Sequence, residues 1–591
     1  MEELCLKRDE QFIEVIKNEE LYKSIVFDLY LFYKNNKDDP LFKKMFVRES
    51  GKISRQHKLK MPKVFLVYMY QKMIKQNEIH NDPQFWLYIQ KCPSRNLSGV
   101  NSFAILLSPH PDGHKNQSCK HNCYYCPNET IENGSQYDMP RSYLKQEPAV
   151  QRGYINDWDP IKQMNDRMNS LMLQGHEVDK LELIIEGGTY TEFPMNYLLD
   201  FHCKLFYSAN TFFNKEPKRH MYTLKDEMMI NTTSKVRIIG ICIETRPDAI
   251  NDEWLLFFRQ SGTTRIQLGV QHNDNTILKK INRGHSFEDS CRAVEMLKNN
   301  GFKVDIHLMP DLPFSNPEKD KKMFDVVFKS NIICPDQVKI YPCEVTPYTV
   351  IEKWYKSGKY TPYNDKDLLE VIEYGMKLCP PYVRLPRVVR DIPLVYIEAG
   401  NKHSNLRQMI HEKMNQENYT LNEMRSREIG RHIDYMNKPT KYTYYKYKTP
   451  TGTEYFISLE SKDKQKVLFG FLRLRITNEN PYFKCLINKG LIRELHVYNH
   501  VLPVGQNHKH SNQHKGIGKR LLKYAEYIAW FHGKNGVAVI SGEGVRNYYR
   551  KQGYKCEDSY EIKTFMNIYN CMYIFMSWLF CLVHLYYNSK L

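Results

Sequence analysis

The chain has 591 residues, 42% of them apolar, which is enough for the cores of three or four domains. Its 85 Lys and Arg residues against 67 Asp and Glu leave a formal charge of +18. That excess suits a polyanion such as nucleic acid, although a solvated basic surface would give the same count. Fifteen cysteines, with no signal-peptide pattern after Met1, argue against a secreted disulfide scaffold and predict a cytoplasmic protein.

Residues 1–95 are predicted to form a helical, basic N-terminal region. Their apolar side chains recur at helical spacing, as at Phe12, Ile16 and Leu21. A basic stretch follows, comprising Lys52, Arg55, His57, Lys58, Lys60 and Lys63. This stretch makes the region a candidate for binding nucleic-acid phosphates.

Residues 96–345 alternate short apolar runs with charged amphipathic segments. This rhythm predicts repeated βα units around a parallel sheet, and six strands predict a partial or complete barrel. The predicted strands are 103–107, 181–185, 236–243, 265–269, 304–309 and 337–340. The first domain is therefore expected to be α/β.

Two further segments precede the C-terminal tail. Residues 346–440 are basic and are predicted to be a mostly helical connector. Residues 441–565 are predicted to form a mixed α/β domain, with one helix over about 515–532 among the strands 442–447, 455–459, 467–475, 492–497 and 537–540.

Three cysteines lie close together just after the first predicted strand. Cys119, Cys123 and Cys126 form the pattern C-x3-C-x2-C. Three thiolates on one short loop suit three irons of a [4Fe–4S] cluster and leave the fourth iron open for S-adenosylmethionine (SAM). The alternatives are a zinc site completed by His114 or His121, and unrelated thiols.

Two later strand ends carry residues that suit bound SAM. Gly187 and Gly188 end the second predicted strand, where backbone has to approach the aminoacyl end of the cofactor. Glu244 ends the third and offers a carboxylate to ribose hydroxyls. Ligands bind at the C-terminal ends of parallel strands, so these positions support the cluster prediction.

The second domain carries a phosphate-binding pattern. Gln513, Gly516 and Gly518 fit Q-x-x-G-x-G at the start of a helix, where backbone N–H groups face a pyrophosphate. A strand precedes this pattern, and another strand and then Asn547-Tyr548-Tyr549 follow it. That order is typical of GNAT acetyltransferases, which predicts acetyl-CoA binding with Tyr549 as a proton donor near the thioester sulfur.

The tail, residues 566–591, is strongly apolar. No Asp, Glu, Lys or Arg occurs between Lys563 and Lys590, and 571–587 is a run of 17 residues that is apolar except mainly for Ser577 and His584. This is the lower limit for a spanning helix, so the tail is a candidate anchor to an intracellular membrane. The alternatives are a helix packed on the second domain and a peroxisomal address in Ser589-Lys590-Leu591.

From about Lys91 to Phe565 the chain closely resembles the catalytic subunit of the Elongator complex, including its stand-alone archaeal, bacterial and viral relatives. Further segments carry the resemblance along the chain: 178–180, 244–248, 268–271, 282–285, 309–313, 390–393 and 425–428. The resemblance implies a radical-SAM domain joined to a GNAT domain. It also implies modification of the wobble uridine of tRNA. The basic stretch within residues 1–95, together with the basic face of the SAM domain, is predicted to bind the phosphates of the anticodon stem-loop.

The resemblance further implies a reaction and its residues. A SAM-derived radical takes hydrogen from the methyl group of acetyl-CoA, the carbon radical adds to C5 of uridine, and the thioester is hydrolysed. The carried-over acetyl-CoA contacts are Lys180, Glu494, Leu495, His496, Val497, Ile517, Gly518, Lys519 and Tyr549. Lys180 and Tyr549 are the catalytic candidates among them, and Elongator-type subunits or a homodimer are the implied protein partners.

The sequence departs from the family pattern at two places. The family usually places its first cluster cysteine in a Cys-Pro-His sequence, whereas residues 109–114 contain no cysteine, so Cys119 is predicted to take that role. The alternative is a damaged cluster site in a tRNA-binding relative without catalysis. No cysteines occur around Tyr419–Asn422, so no closed zinc site is expected there. Lysine acetylation of proteins by the GNAT domain alone is the alternative activity.

Overall fold

The computed structural model describes residues 15, 17–39, 41–57, 62–91, 99–113, 119–498 and 516–565. In its N-terminal part the helices with complete bounds are α1 (Glu19–Asn36), α2 (Phe42–Gln56), α3 (Lys63–Lys75) and α4 (Pro83–Ile89). Their shared core is aromatic, with Tyr30, Tyr33 and Phe85 in mutual ring contact. Asp82 begins α4 by accepting the backbone N–H groups of Gln84 and Phe85, as N-cap residues do. These four helices lie within residues 1–95.

Six parallel strands form the central sheet, in the order in which they occur along the chain. They are β1 (Asn101–Leu106), β2 (Lys180–Glu186), β3 (Arg237–Thr245), β4 (Arg265–Gln271), β5 (Lys303–Leu308) and β6 (Gln337–Ile340). The helices between them are α5 (Pro148–Ile155), α6 (Pro160–Leu173), α7 (Met195–Thr211), α8 (Leu224–Asn231), α9 (Asp252–Gln260), α10 (Asn275–Lys280), α11 (Phe287–Asn299) and α12 (Pro317–Lys329). Within the described strands β1 and β6 do not pair, so the barrel is partial.

The outer edge of β6 is covered by the chain segment 384–387. The backbone N–H groups of Val338 and Ile340 donate to the carbonyls of Arg384 and Arg387, at 2.9 and 3.1 Å. The N–H of Arg384 in turn donates to the carbonyl of Asp336 at 3.2 Å. This segment lies in the predicted connector, whose helices are α13 (Val350–Lys356), α14 (Asp365–Leu378), α15 (Leu406–Gln416) and α16 (Met424–Arg427).

The C-terminal domain is built on a seven-stranded mixed sheet in the order β12-β13-β11-β10-β9-β8-β7. Its elements are β7 (Thr440–Thr449), β8 (Gly452–Ser461), β9 (Leu468–Thr477), β10 (Lys489–Val497), α17 (Ile517–Phe531), β11 (Gly536–Val539), α18 (Arg546–Arg550), β12 (Lys555–Glu557) and β13 (Tyr560–Thr564). Only β10 and β11 pair in parallel. The sequence predicted β7 to β11 and α17 but not the last two short strands.

The two domains meet through buried ion pairs. Arg493 is an extra residue in β10, at a bulge between Ile492 and Glu494. Its guanidinium donates to both carboxylate oxygens of Asp336, just before β6, at 2.5 and 2.7 Å. Neither side chain is exposed to solvent. A buried pair of this geometry ties the strand of one domain to the barrel of the other.

More charges surround this pair. Arg493 also contacts Glu454 at 2.7 Å, and Lys298 contacts Glu454 at 3.2 Å. Arg475 of β9 contacts Glu295 of α11 at 2.7 Å. Because each buried cation faces a carboxylate, the interface is electrically balanced although it is polar.

No helix among the described residues is both long enough and apolar enough to cross a membrane. Residues 566–591, which carry the predicted anchor, lie outside the described part of the chain. So do Lys58 and Lys60 of the predicted basic stretch.

Candidate active site

The loop with the three cysteines lies at the C-terminal end of the barrel strands. The hydroxyl of Thr189, which follows β2, donates to the Cys119 sulfur at 3.2 Å. The Arg283 guanidinium lies 3.5 Å from the Cys123 sulfur. Asn282 holds the loop by donating to the backbone carbonyl of Asn122 at 2.7 Å. The segment 282–285, noted in the sequence as part of the resemblance, therefore supports the cysteine loop.

The charge around these thiols differs from one to the next. Burial alone would raise the pKa of Cys123, but Arg283 and Arg246 hold this pKa below its usual value. Burial raises the pKa of Cys126, and negative charge on Cys123 and Cys119 raises it further. All three cysteines are free thiols, and cluster ligands have to be free in this way.

No three His, Cys, Asp or Glu side chains of the described residues converge closely enough to hold a single metal ion. A [4Fe–4S] cluster makes a different demand, because its thiolates bind separate irons. The cationic surroundings of Cys123 fit such a ligand, since guanidinium groups near the sulfur favour the thiolate.

The predicted SAM residues occupy the neighbouring strand ends. Gly187 and Gly188 have φ angles of +141° and +110°, which favour glycine. A Cβ on Gly187 would lie 2.8 Å from the Leu107 Cβ, so the absence of a side chain here lets the ends of β1 and β2 approach each other. This close packing is enough to explain why residue 187 is a glycine, and no bound ligand is needed for that explanation.

Glu244, at the end of β3, is held by neighbours on two sides. Its carboxylate lies 3.3 Å from His307 Nδ1 and accepts the Tyr143 hydroxyl at 3.3 Å. Burial would raise the pKa of Glu244, but His307 and Lys339 hold it at about 2. An ionised and fixed carboxylate suits ribose hydroxyls.

The predicted acetyl-CoA cradle lies at the start of α17. Gly516 has φ +106°, and a Cβ there would meet no atom of the described residues within 4 Å. A Cβ on Gly518 would lie 2.5 Å from the Tyr548 hydroxyl oxygen. The first N–H groups of a helix have no partner within the helix, and the helix dipole is positive there. The residues therefore fit a pyrophosphate. Gln513 lies outside the described residues.

Strands β10 and β11 separate beside this cradle. Among the described strands they pair only from Lys489 to Ile492 on β10, and β10 then continues to Val497 with β9 as its one neighbouring strand. The free side of residues 494–497 opens a cleft next to the helix start. Such a cleft between two parallel strands can admit the extended arm of a CoA molecule.

A single cavity of about 1030 Å³ joins the two domains. From the predicted site, its lining contains Glu494, Leu495, His496, Val497, Gly516, Gly518, Lys519 and Tyr549. The barrel contributes Glu182, Glu186, Arg265, Gln267, Lys303, Asp305 and Lys339. The cleft of the C-terminal domain thus opens into the interior of the barrel.

Other predicted residues do not line this cavity. They are Cys119, Cys123, Cys126, Gly187, Gly188, Glu244 and Ile517. Lys180 is also absent from the lining, and its ammonium lies 2.9 Å from the Asp179 carboxylate at the start of β2. Its catalytic role stays a prediction.

Sequence reasoning missed the polar interior of the barrel. Gln267 accepts from Lys339 at 2.5 Å and lies 3.0 Å from His307 Nε2. The signal was present, because polar residues alternate with apolar ones in β4, β5 and β6 at 265/267, 305/307 and 337/339. In a barrel strand, that alternation places one set of side chains inside.

A partial parallel barrel with a thiol loop, joined to a sheet domain with a helix-start cradle, defines a radical-SAM enzyme with an acetyltransferase-type domain. Family models agree for the radical-SAM part: residues 205–326 match the Radical SAM superfamily, and residues 335–416 match the Radical_SAM C-terminal domain. The chain is 38% identical over 482 residues to the tRNA uridine(34) acetyltransferase of Methanocaldococcus infernus, covering 80% of this chain and 87% of that protein.

Other relatives extend this match. The Dehalococcoides mccartyi protein of the same name is 37% identical, covering 80% of this chain and 98% of the relative. Elongator complex protein 3 of Homo sapiens is 34% identical, covering 80% and 85%. The structure of the archaeal Methanocaldococcus infernus Elp3 with N-terminus deletion (1-46) matches with a TM-score of 0.67 and 34% identity, over 79% of this chain and 100% of that one. The chain belongs to the family of tRNA uridine(34) acetyltransferases and Elongator complex protein 3.

Proposed function

We propose that the chain modifies C5 of the wobble uridine of tRNA, making carboxymethyl-type uridine from acetyl-CoA with a SAM-derived radical. The observation that carries this proposal is the shared cavity, because a reaction that uses both domains needs one space between them. The family relatives named for tRNA uridine(34) support the choice of substrate.

The proposed roles follow from the geometry. Cys119, Cys123 and Cys126 would hold the cluster, and Glu244 would accept the ribose hydroxyls of SAM. When bound, cluster and SAM supply the chemistry that removes hydrogen from an unactivated methyl group. The N–H groups at the start of α17 hold the CoA pyrophosphate. Burial raises the pKa of Tyr549, so its phenol stays protonated and can donate to the CoA sulfur.

The test is mass spectrometry of tRNA nucleosides after incubation with anaerobically reconstituted protein, SAM, a reductant and acetyl-CoA. We expect a carboxymethyl-type uridine that is absent when SAM is omitted. A lysine peptide in the same assay tests the alternative activity. Acetylated peptide with unmodified tRNA would contradict the proposal.

For tRNA binding, we propose the N-terminal region together with arginines of the shared cavity. The cavity lining includes Arg152, Arg167, Arg384, Arg387 and Arg425. In the N-terminal region, Lys63 donates to the carbonyls of Tyr88 and Gln90, whereas Lys52 contacts only Glu49, at 3.5 Å, within the described chain. The tRNA affinity should fall steeply with salt. A flat salt response would remove this part of the proposal.

The proposal also covers assembly and location. A homodimer or Elongator-type subunits are the proposed protein partners, and light scattering of the purified chain tests the dimer. The apolar tail, 566–591, is proposed to attach the enzyme to an intracellular membrane. We expect the full chain, but not one ending at Phe565, to stay in the pellet after carbonate extraction. If both are extracted, the tail has another role.

A further inference from the structure

Strand β10, which lies beside the predicted acetyl-CoA cradle and is called the cradle strand here, meets the barrel at a small cluster of polar side chains. Lys303 of β5 lies 3.7 Å from Glu494 and 3.9 Å from Glu182, measured from its ammonium to the nearest carboxylate oxygen. His496 lies two residues after Glu494 on the same face of β10, since side chains alternate along a strand. Lys303, Glu182, Glu494 and His496 all line the shared cavity.

The imidazole of His496 is held by aromatic neighbours, and one of its nitrogens has no polar partner among the described residues. Its ring stacks on Phe471 with centroids 6.0 Å apart and lies 4.5 Å from the ring of Tyr498. Nε2 is buried and makes no hydrogen bond to any described residue. A buried nitrogen without a partner is costly unless water or a ligand completes it. Burial lowers the pKa of His496, so the ring is neutral at pH 7 and can accept a proton.

The ammonium of Lys303 is also available. Within the described chain its side chain makes only the two long ion pairs, and no hydrogen bond. Glu494, by contrast, accepts the Arg473 Nε at 3.0 Å. Because Arg473 engages this carboxylate, the neutral ring of His496 is the better proton acceptor of the two.

We propose that His496 and Lys303 form the centre that hydrolyses the thioester. His496 takes a proton from a water molecule as the water oxygen bonds to the thioester carbonyl carbon. Lys303 stabilises the oxyanion, and the carbon–sulfur bond then breaks. Tyr549 donates its proton to the sulfur and regains one from solvent, so a thioester and water give a carboxylate, a proton and CoA thiol. The inference rests on the proposed function and assigns residues to its hydrolysis step, which releases CoA.

The experiment measures release of CoA thiol by full-length holoenzyme with SAM, tRNA and acetyl-CoA, using a thiol reagent. His496→Gln should lower kcat for thiol release by about 100-fold or more, the usual effect of losing a general base. Lys303→Met should lower it by about 100-fold as an oxyanion donor is lost, and Lys303→Arg should restore part of the rate. Lys329→Met, on the solvent side of α12, is the matched lysine control and should leave the rate unchanged.

Calorimetry with CoA separates catalysis from binding. We expect CoA affinity within about twofold of wild type for Lys303→Met, and for His496→Gln, a predicted acetyl-CoA contact, a loss of affinity at least about tenfold smaller than its loss of rate. At pH values below the usual pKa range of histidine, the wild-type rate of thiol release should decrease as the pH is lowered, because His496 becomes protonated. The rate of His496→Gln should not show this decrease. Equal loss of affinity and rate, a wild-type rate retained in His496→Gln, or no thiol release by the wild type would each overturn the assignment.

The result of the thiol-release experiment can be distinguished from that of the tRNA assay, because each of the two can fail while the other succeeds. Modified uridine formed by the wild type, with thiol release that does not depend on His496, refutes this inference and leaves the proposed function standing. Thiol release that depends on His496 and Lys303, with no modified uridine, supports the hydrolytic centre and refutes the proposed function.

Discussion

Removing one charge from the domain interface should destabilise the whole enzyme. Asp336→Asn keeps the shape of the side chain but removes the carboxylate that accepts both nitrogens of Arg493. Arg473 lies 3.6 Å from the same carboxylate. Both arginines stay buried after the substitution, and the balance of the interface shifts by one positive charge.

The size of the effect follows from burial. Breaking a fully buried ion pair by removing one partner costs about 3–5 kcal/mol, since the remaining charge is left desolvated. A domain is stable by only about 5–15 kcal/mol in total, so the loss is a large share of this. The pair of Lys162 and Asp157, 2.6 Å apart, is exposed to solvent and should contribute far less to stability. Asp157→Asn is therefore the control.

Urea denaturation at pH 7 measures the free energies of unfolding of Asp336→Asn and Asp157→Asn relative to the wild type. We expect Asp336→Asn to lose about 3–5 kcal/mol and to bind CoA more weakly, because Arg493 directly precedes Glu494 in the cradle strand. Adding Arg493→Met to Asp336→Asn should recover part of the stability, because the double variant no longer buries the Arg493 charge without its carboxylate partner. A loss no larger than that of Asp157→Asn would refute the account of the interface.

Three further predictions concern single sites. Replacing the three cluster cysteines by Ala should abolish iron binding and the visible charge-transfer absorbance; unchanged iron or stoichiometric zinc would contradict this. Gly518→Glu should abolish CoA binding measured by calorimetry, because the new side chain meets Tyr548 and adds negative charge to the cradle; normal affinity would show that the cradle lies elsewhere. Burial raises the pKa of Glu344 to about 8 from its ordinary 4.5, so its proton stabilises the folded state fully below pH 4.5, and this contribution is lost as the pH rises to about 8. Glu344→Gln should therefore be more stable than the wild type at pH 8.5, by on the order of a few kcal/mol, in urea melts. A difference in stability between the variant and the wild type that is the same at pH 6 and pH 8.5 would contradict this prediction.

The sequence predicted those parts of the fold that depend on local patterns. The six barrel strands, the helix after Gly516 and the C-x3-C-x2-C loop all have periodicity or spacing that a single segment carries. Strand β12 was missed because its three residues are exposed and show no apolar period, whereas in β13 Tyr560 and Ile562 alternate with charged residues and this signal was overlooked.

Contacts between domains could not be predicted in this way. Lys180 and Lys303 both begin barrel strands and look alike in the sequence, yet Lys180 contacts its neighbour Asp179 and Lys303 faces the cavity. Which strand start faces the acetyltransferase domain depends on how the two domains pack. Arg493 likewise reads as a surface residue until the bulge of β10 turns it towards Asp336.

The segment 384–387 has a consequence for solubility. An open barrel exposes the backbone of its last strand, and such an edge is a template on which a strand of another molecule can add. Here the carbonyls of Arg384 and Arg387 accept hydrogen bonds from the N–H groups of Val338 and Ile340. Pro386, between these arginines, has no N–H to offer a further strand. The backbone bonds that place Arg384 and Arg387 beside the cavity thus also keep neighbouring molecules from stacking edge to edge.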